Sequence, residues 1–450
     1  MIKDSFQRYL DSHATLHLHP AVVLYHNREQ GVRLVANPFN LSSPIESFSE
    51  ELFEFFELLA SGVPVEEFTA QEWLVEFERN SPGAILVRGN ADFSKMEQHF
   101  STALKLVTEK ESVRSSQTHE ECVKYHSQSL ADAFKQFEVV ETTVSHIFRE
   151  PHVALSNRNY GEALADLLLT DKVLSKDLGG KHAAILEIGC GVGLVARSIL
   201  SRIRSKDSAL FNKVKYTLFE LSPELQRSQR EQCADFSLQT EFIRGDVLSW
   251  DEPEGCYDFI LSNEMIADLP VSPVGEQLEV VQRYGLEYLL SNPGRLLNIG
   301  AIRLLEKVAR ALKPKGCALI TEYGGVGQDP LIAKFEGHAE FSIDFEVLVK
   351  VAKQLNLRVE LQTVGELLEF DPQCRIVHGA SIDTLSYLLL PYLKHEPLPR
   401  IAYTKESLSN KLMSTCGEGL DCFFNIQDVA LKEQWGLTPY KFYALSLTLT

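Results

Sequence analysis

Three acidic residues follow one another at the ends of three apolar runs, and they are the residues here best placed to do chemistry. Glu187-Ile-Gly189-Cys-Gly191-Val-Gly193 ends the first run and opens a helix-forming segment. Glycines at such a turn let backbone approach a ligand closely. Phe219-Glu220-Leu221-Ser222-Pro223 ends the second run, where a carboxylate can accept from both hydroxyls of a ribose in paired hydrogen bonds. Arg244-Gly245-Asp246-Val247 ends the third, where an Asp can accept from the exocyclic amine of adenine. Together these point to a nucleoside-bearing ligand. Leu194, Val195 and Ala196 follow Gly193, so the spacing is not the G-x-G-x-x-G of dinucleotide enzymes, and NAD is the runner-up. No Gly-Lys-Ser/Thr phosphate loop is present.

The elements that must hold these residues are legible around them. Ala183–Gly189, Lys215–Ser222, Thr240–Val247, Tyr257–Asn263 and Cys317–Gly324 read as strands. Helices are expected after Gly193, from Pro223, and over about 298–312. Short apolar strands alternating with helices imply an α/β fold with a parallel, doubly wound sheet covered on both faces. Ligands bind such sheets outside the carboxyl ends of the strands. The late segment Lys441–Thr450 reads as one more strand that would form an antiparallel edge pair. Asp383–Pro399 is a helix-like apolar run.

The N-terminal 107 residues read as a separate small α+β unit. Ala21–His26 and Val32–Pro38 flank a turn and are expected to form a hairpin. Ser49–Gly62 and Val63–Asn80 are expected as helices, and Gly83–Gly89 as a closing strand. That order is winged-helix-like. Residues 108–129 are polar without apolar periodicity and are expected as a linker, which leaves 130–450 as the catalytic domain.

Glu187–Gly193 resembles motif I of class I S-adenosylmethionine-dependent methyltransferases, E/D-x-G-x-G-x-G. The resemblance implies a Rossmann-like fold and S-adenosyl-L-methionine as cofactor, held by Glu187, Gly189, Gly191, Gly193, Glu220, Leu221, Asp246, Val247 and Asn263. Asn263-Glu264-Met-Ile-Ala267-Asp268-Leu-Pro-Val271 resembles the N-E-x-x-D-A-L-P-V signature of the MidA-like family, related to the complex I assembly arginine methyltransferases. Glu220–Leu225 with Gln229, Thr321-Glu322-Tyr323-Gly324, the region from His338 to Phe345, Leu361-Gln362 and Asn159-Tyr160-Gly161-Glu162 resemble further stretches of that family. The chain departs from it where the Asp-Ala pair is inverted as Ala267-Asp268, where Glu322 replaces an Asp, and where Cys190 replaces a Pro. Glu264, Asn263, Asp268, Tyr323 and Tyr160 are the candidate catalytic residues, since carboxylates can hold a guanidinium or take a proton from an amine or hydroxyl. Leu18-His19-Pro20 and Gly62–Phe68 resemble the PqqD-like peptide-recognition element, which binds a leader peptide as an added strand. Transfer to a recruited peptide or protein is the first reading. An arginine N-methyltransferase of the complex I assembly type, a small-molecule methyltransferase and an inactive assembly factor are the alternatives, and dimerisation is the alternative use of the N-terminal unit.

Composition narrows the partners. The chain has 450 residues, with 44 Lys and Arg against 62 Asp and Glu, a net charge of −18. That balance argues against nucleic acid and against an anionic membrane surface. No run approaches a membrane span and no signal peptide opens the chain, so a cytoplasmic location is expected. The eight cysteines are scattered without a C-x-x-C and read as reduced thiols. His13, His17 and His19 lack a second ligand cluster, so no metal is expected.

Overall fold

In the computed structural model, residues 22–27, 31–36, 73–77, 85–89, 123–124, 143–170, 182–334, 339–379, 381–382, 385–386, 398–417, 420, 423–424, 426, 428–434 and 438–450 are described. The chain forms two compact units, each discontinuous in sequence. One comprises Met1–Val113 with Arg375–Gly436, the other Arg114–Cys374 with Leu437–Thr450. The division differs from the expected single domain over 130–450, because residues 375–436 return to the first unit.

The first unit contains β1 (Val22–Asn27), β2 (Gly31–Ala36), β3 (Trp73–Phe77) and β4 (Ile85–Gly89). β1 and β2 form the expected antiparallel hairpin, with Val22 opposite Ala36 and Asn27 opposite Gly31. Phe423–Phe424 adds to the far side of β1. The sheet order is Phe423–Phe424, β1, β2, β4, β3. The helix expected over Val63–Asn80 is corrected at β3. Trp73, Val75 and Phe77 alternate with Leu74 and Glu76, and aromatic and β-branched residues in period two favour a pleated strand over a helix. Of the other expectations, the Ser49–Gly62 helix, the Leu18–Pro20 segment, His13, His17, His19 and most of the 108–129 linker lie outside the described residues.

The second unit begins with α1 (Val144–Ile147) and α2 (Tyr160–Thr170). It continues through β5 (Ala183–Ile188), α3 (Leu194–Lys206), β6 (Val214–Glu220), α4 (Pro223–Gln232), β7 (Thr240–Arg244) and β8 (Tyr257–Asn263). After an insertion come α5 (Ile299–Ala311), β9 (Leu312–Gly325), α6 (Phe345–Gln354), β10 (Leu357–Thr363) and β11 (Phe442–Leu449). The sheet order is β10, β11, β9, β8, β5, β6, β7. β5 to β9 run parallel, and β11 is antiparallel to both β9 and β10. This is a Rossmann-like arrangement. As expected, the late strand joins an antiparallel pair at one side of the sheet, where β11 lies between β9 and β10. Its burial explains why it reads as a run of Phe442, Ala444, Leu445 and Leu447 on a near-continuous apolar segment.

Local sequence accounts for the helices. Pro223 opens α4, and the Ser222 hydroxyl accepts from the Leu225 N–H at 3.3 Å. α5 places Ile302, Leu304, Leu305 and Val308 in one core with Leu186, Ile260 and Ile320 of the sheet and with Val347, Leu348 and Val351 of α6. The strand order reverses at β5, with β6 and β7 to one side and β8 and β9 to the other, so the parallel carboxyl ends of β5 and β8 frame the crevice where such folds bind ligands.

α5 also supports the loop after β8. The Gly300 N–H donates to the Pro270 carbonyl at 2.9 Å. A Cβ at Gly300 would lie 2.6 Å from Leu269 Cβ and Pro270 Cδ, too close for any ordinary contact. Gly300→Ala is expected to lower unfolding stability by about 1–3 kcal/mol, read from a urea melt. An unchanged melt would show that the 266–270 loop yields freely.

Candidate functional site

The turn from β5 into α3 is built on left-handed backbone. Gly189, Gly191 and Gly193 have φ of 71°, 50° and 87°. Gly193 precedes α3 and gives it no side-chain cap. A helix start of this kind favours an anionic group, because its first amides and its dipole both face the turn. The protein's own packing also demands two of these glycines. A Cβ at Gly189 would lie 2.4 Å from Met265 Cγ, and one at Gly193 would lie 3.0 Å from Gln229 Cα. The Gln229 amide donates to the Gly191 carbonyl at 2.8 Å and to Glu220 Oε2 at 3.2 Å. It therefore ties the glycine turn to the end of β6.

Each predicted acid has a definite place. Glu220 Oε1 accepts from the Leu221 N–H at 2.8 Å and the Ser222 N–H at 3.0 Å, so its carboxylate is held in one orientation beside the crevice. Glu187 turns toward the neighbouring strand, where it is 1% exposed and accepts the Tyr216 hydroxyl at 2.7 Å. Burial pushes its pKa up to about 8, against the lowering effect of the Tyr216 bond. Asp246 accepts from the Leu248 N–H at 2.9 Å and the Ser249 hydroxyl at 3.1 Å, and so closes its own turn. Val247 is part of the core. A left-handed glycine turn, a helix start without a side-chain cap and an oriented strand-end carboxylate fit a nucleoside cofactor with a carboxylate of its own.

The end of β8 brings the remaining candidates together. Asn263 Oδ1 accepts from the Tyr160 hydroxyl at 2.7 Å and the Thr321 hydroxyl at 2.9 Å. Asn263 Nδ2 donates to Ser145 Oγ at 3.1 Å and Glu264 Oε1 at 3.2 Å. These four bonds take up the full capacity of an amide, which makes Asn263 a positioning group. Glu264 follows in the left-handed region, with φ of 52°. Its Oε2 accepts from the Val144 N–H at 2.8 Å and its Oε1 from the Ser145 N–H at 3.3 Å. Burial pushes its pKa up to about 7, opposed by these bonds and that from Asn263, and reinforced by the charge of Glu340. Glu322 is 2% exposed, and its carboxyl accepts from the Ala267 N–H at 3.1 Å and the Tyr323 N–H at 2.9 Å. Burial, then the charges of Glu264 and Glu340, hold it well above the usual carboxylate range. The Tyr323 hydroxyl is buried, with no hydrogen-bond partner among the described residues. Burial and the charges of Glu340, Glu322 and Asp268 push its pKa up. Asp268 closes the short 266–268 turn, its N–H donating to the Met265 carbonyl at 3.1 Å.

Tyr160, Asn263 and Glu264 thus form one network, with Glu322, Tyr323 and Asp268 around it. Ser145, Thr321, Met265 and Glu340 belong to the same region and went unassigned in the sequence. Thr321 follows the apolar run Ala318–Ile320 within β9 and could have been found from that. Ser145 stands in no pattern. His338 lies outside the described residues. Among the described residues, no group of three or more His, Cys, Asp or Glu side chains could hold a metal ion. Nor is any described helix long and apolar enough to cross a membrane.

Residues 170–287, which hold the glycine turn and the ends of β6, β7 and β8, match the family model described as "Putative S-adenosyl-L-methionine-dependent methyltransferase". That segment is a methyltransferase's, and its cofactor is S-adenosyl-L-methionine. The chain is also 30% identical over 115 residues, 26% of its length, to Biotin biosynthesis bifunctional protein BioCD of Bordetella avium (strain 197N). It spans about a fifth of that relative's length (21%). Among solved structures, it is similar to a superfamily protein of Burkholderia thailandensis bound to S-adenosyl-homocysteine. The TM-score is 0.40 and the identity 13%, over 73% of this chain and 87% of that one. It is also similar to phosphoethanolamine N-methyltransferase 2 of Haemonchus contortus in complex with S-adenosyl-L-methionine. There the TM-score is 0.34 and the identity 15%, over 71% of this chain and 60% of that one.

The buried Glu187 carries a pH signature. A carboxyl whose folded pKa is about 8, against 4.5 for the free group, keeps a proton in the fold that the unfolded chain releases. Its contribution to stability is complete below about pH 4.5 and is lost as pH rises toward 8. Glu187→Gln keeps an acceptor for the Tyr216 hydroxyl and removes the titration. It is expected to flatten the fall in melting temperature between pH 5 and 8, and a slope equal to the parent's would contradict the assignment.

Proposed function

We propose that the chain transfers a methyl group from S-adenosyl-L-methionine to a peptide or protein acceptor recruited by the unit that contains residues 1–113. The catalytic half of this reading is carried by the oriented Glu220 carboxylate beside the left-handed glycine turn and the uncapped start of α3. Glu220 would hold the ribose, and the first amides of α3 the carboxylate of the amino-acid portion. When bound, the cofactor supplies an electrophilic methyl group on a cationic sulfur. The chain's own part is to present an acceptor lone pair in line and give its proton a destination, and positioning can supply much of the acceleration.

The acceptor side is acid-rich. Glu264, Glu322 and Asp268 stand at the ends of β8 and β9 and in the loop between them. A carboxyl with a pKa near 7, as Glu264 has, is suited to proton transfer at neutral pH, and such a surround welcomes a basic or neutral acceptor. The recruitment half is supported by the first unit's antiparallel sheet, in which β4 is the one neighbour of β3 among the described residues. An extended peptide can add to such an edge through main-chain hydrogen bonds. The resemblance of residues 18–20 and 62–68 to a peptide-recognition element agrees with that use, and the resemblance of residues 263–271 to the MidA-like signature agrees with a protein acceptor.

The test uses the full chain. S-adenosyl-L-methionine at about 100 times its Kd should stabilise the fold by about 2.7 kcal/mol, and peptide libraries should yield products heavier by one methylene. Glu220→Ala should weaken cofactor binding at least about tenfold, equivalent to about 1.4 kcal/mol. Methylation of small amines without any peptide would favour a small-molecule enzyme. No stabilisation by the cofactor would favour a non-catalytic role.

A further inference from the structure

The strap formed by residues 143–160 lies ahead of the segment that matches the methyltransferase family, yet it is bonded to the centre of the site. Its first residues meet the end of β8 through the Val144 and Ser145 amides on Glu264 and through Ser145 Oγ on Asn263. Its last residue meets the same place through the Tyr160 hydroxyl on Asn263 Oδ1. Between these ends the strap is closed on itself, with the Tyr160 N–H donating to the Phe148 carbonyl at 2.9 Å. It is also seated on the helix that follows the glycine turn. A Cβ at Gly161 would lie 2.6 Å from Ser198 Cβ and 3.0 Å from the Val195 carbonyl of α3.

Two details mark the Glu264 contact as more than an ordinary helix cap. α1 already has one, since the Thr143 hydroxyl accepts from the His146 N–H at 3.1 Å. The Glu264 carboxylate instead takes the Val144 and Ser145 amides, which the Thr143 bond leaves over. Glu264 reaches them from a left-handed backbone that a non-glycine residue adopts only when its surroundings hold it there. Strain of that kind collects at ligand clamps and switch regions.

We propose that Val144 and Ser145 are positioning residues: their amides and the Ser145 hydroxyl latch the start of α1 onto Glu264 and Asn263, and this latch retains bound cofactor by keeping the strap closed over the carboxyl ends of β5 and β8. The inference rests on the methyltransferase reading of the site and adds a part to it. In this arrangement Glu264 acts on the reaction through the strap as well as through any proton it takes. Closure of this sort excludes water from the crevice and slows ligand escape.

The test is the dissociation rate of S-adenosylhomocysteine from the full chain, by stopped flow. Val144→Pro removes one latch amide. Proline is tolerated at the first position of a helix, and Thr143, with φ −98° and ψ 163°, already has the extended backbone that a residue before proline needs. Ser145→Ala removes the hydroxyl, and Ser145→Thr restores one. Loss of one such bond should speed release about tenfold in Val144→Pro and in Ser145→Ala, with parent-like release in Ser145→Thr. The melting temperature of the ligand-free chain separates the latch from a merely structural role, which would lower it and leave the release rate alone. Parent-like release in both variants overturns the latch. If Val144→Pro does not fold, the Ser145→Ala and Ser145→Thr pair decides. If the parent chain itself binds no S-adenosylhomocysteine, the methyltransferase reading fails and the latch fails with it.

Discussion

The saturated amide of Asn263 is the constraint on which the site depends. One side chain accepts from Tyr160 and Thr321 and donates to Ser145 and Glu264. Those partners come from α2, β9, α1 and the residue after β8. A buried amide left with an open donor or acceptor is costly, so the four elements must arrive together in one arrangement. The sheet order then follows as a supporting condition. β8 lies between β5 and β9, so the residue that ends it can reach the glycine turn on one side and Thr321 on the other. Met265, two residues on, packs against Gly189 and ties the acceptor side to the cofactor side by shape rather than by polarity.

Charge behaves differently at this centre from elsewhere on the chain. The sequence is strongly acidic, yet three buried acids of this region resist ionisation. Glu187 and Glu264 have pKa values near 8 and near 7, and Glu322 lies well above the usual range, in each case first because burial disfavours the charged form. The net charge of −18 therefore overstates the field in the crevice at neutral pH. A cationic cofactor entering would pull these groups toward ionisation, and so the site is electrostatically responsive to what it holds.

Much of the second unit was legible because its signals are local. Apolar runs ending in Glu187, Glu220 and Asn263 became β5, β6 and β8, and Pro223 marked the start of α4. The rest was hidden for identifiable reasons. Trp73–Phe77 sits among charged residues that suit an exposed helix face, and its pairing with β4 decides the matter. The return of residues 375–436 to the first unit rests on pairings such as Leu24 with Phe424, which no window of sequence can contain. Within the site, the acids were found by type and place, but their directions were not. Glu187 turns to Tyr216 and Asp246 to its own turn, and a spacing rule does not carry that information. Ser145 was invisible, since a serine before a short helix is ordinary. Two of the three departures from the MidA-like signature touch. Glu322, one methylene longer than the Asp of that signature, reaches the amide of Ala267 in the inverted pair.

The place of β11 bears on the order in which the protein can be made. Among the described residues β10 has β11 as its one neighbour in the sheet, and β11 comes from residues 442–449. A growing chain therefore carries β10 without a partner throughout the synthesis of residues 364–441. Those residues include the part that joins the first unit. During that interval β9 also lacks cover on one edge, and two strand edges stand open to water or to another chain. The catalytic crevice, framed by β5 and β8, is complete in sequence long before the sheet is. Nascent protein should thus need shielding at one flank while its ligand-binding centre is already assembled, a burden that falls on translation speed and on chaperones.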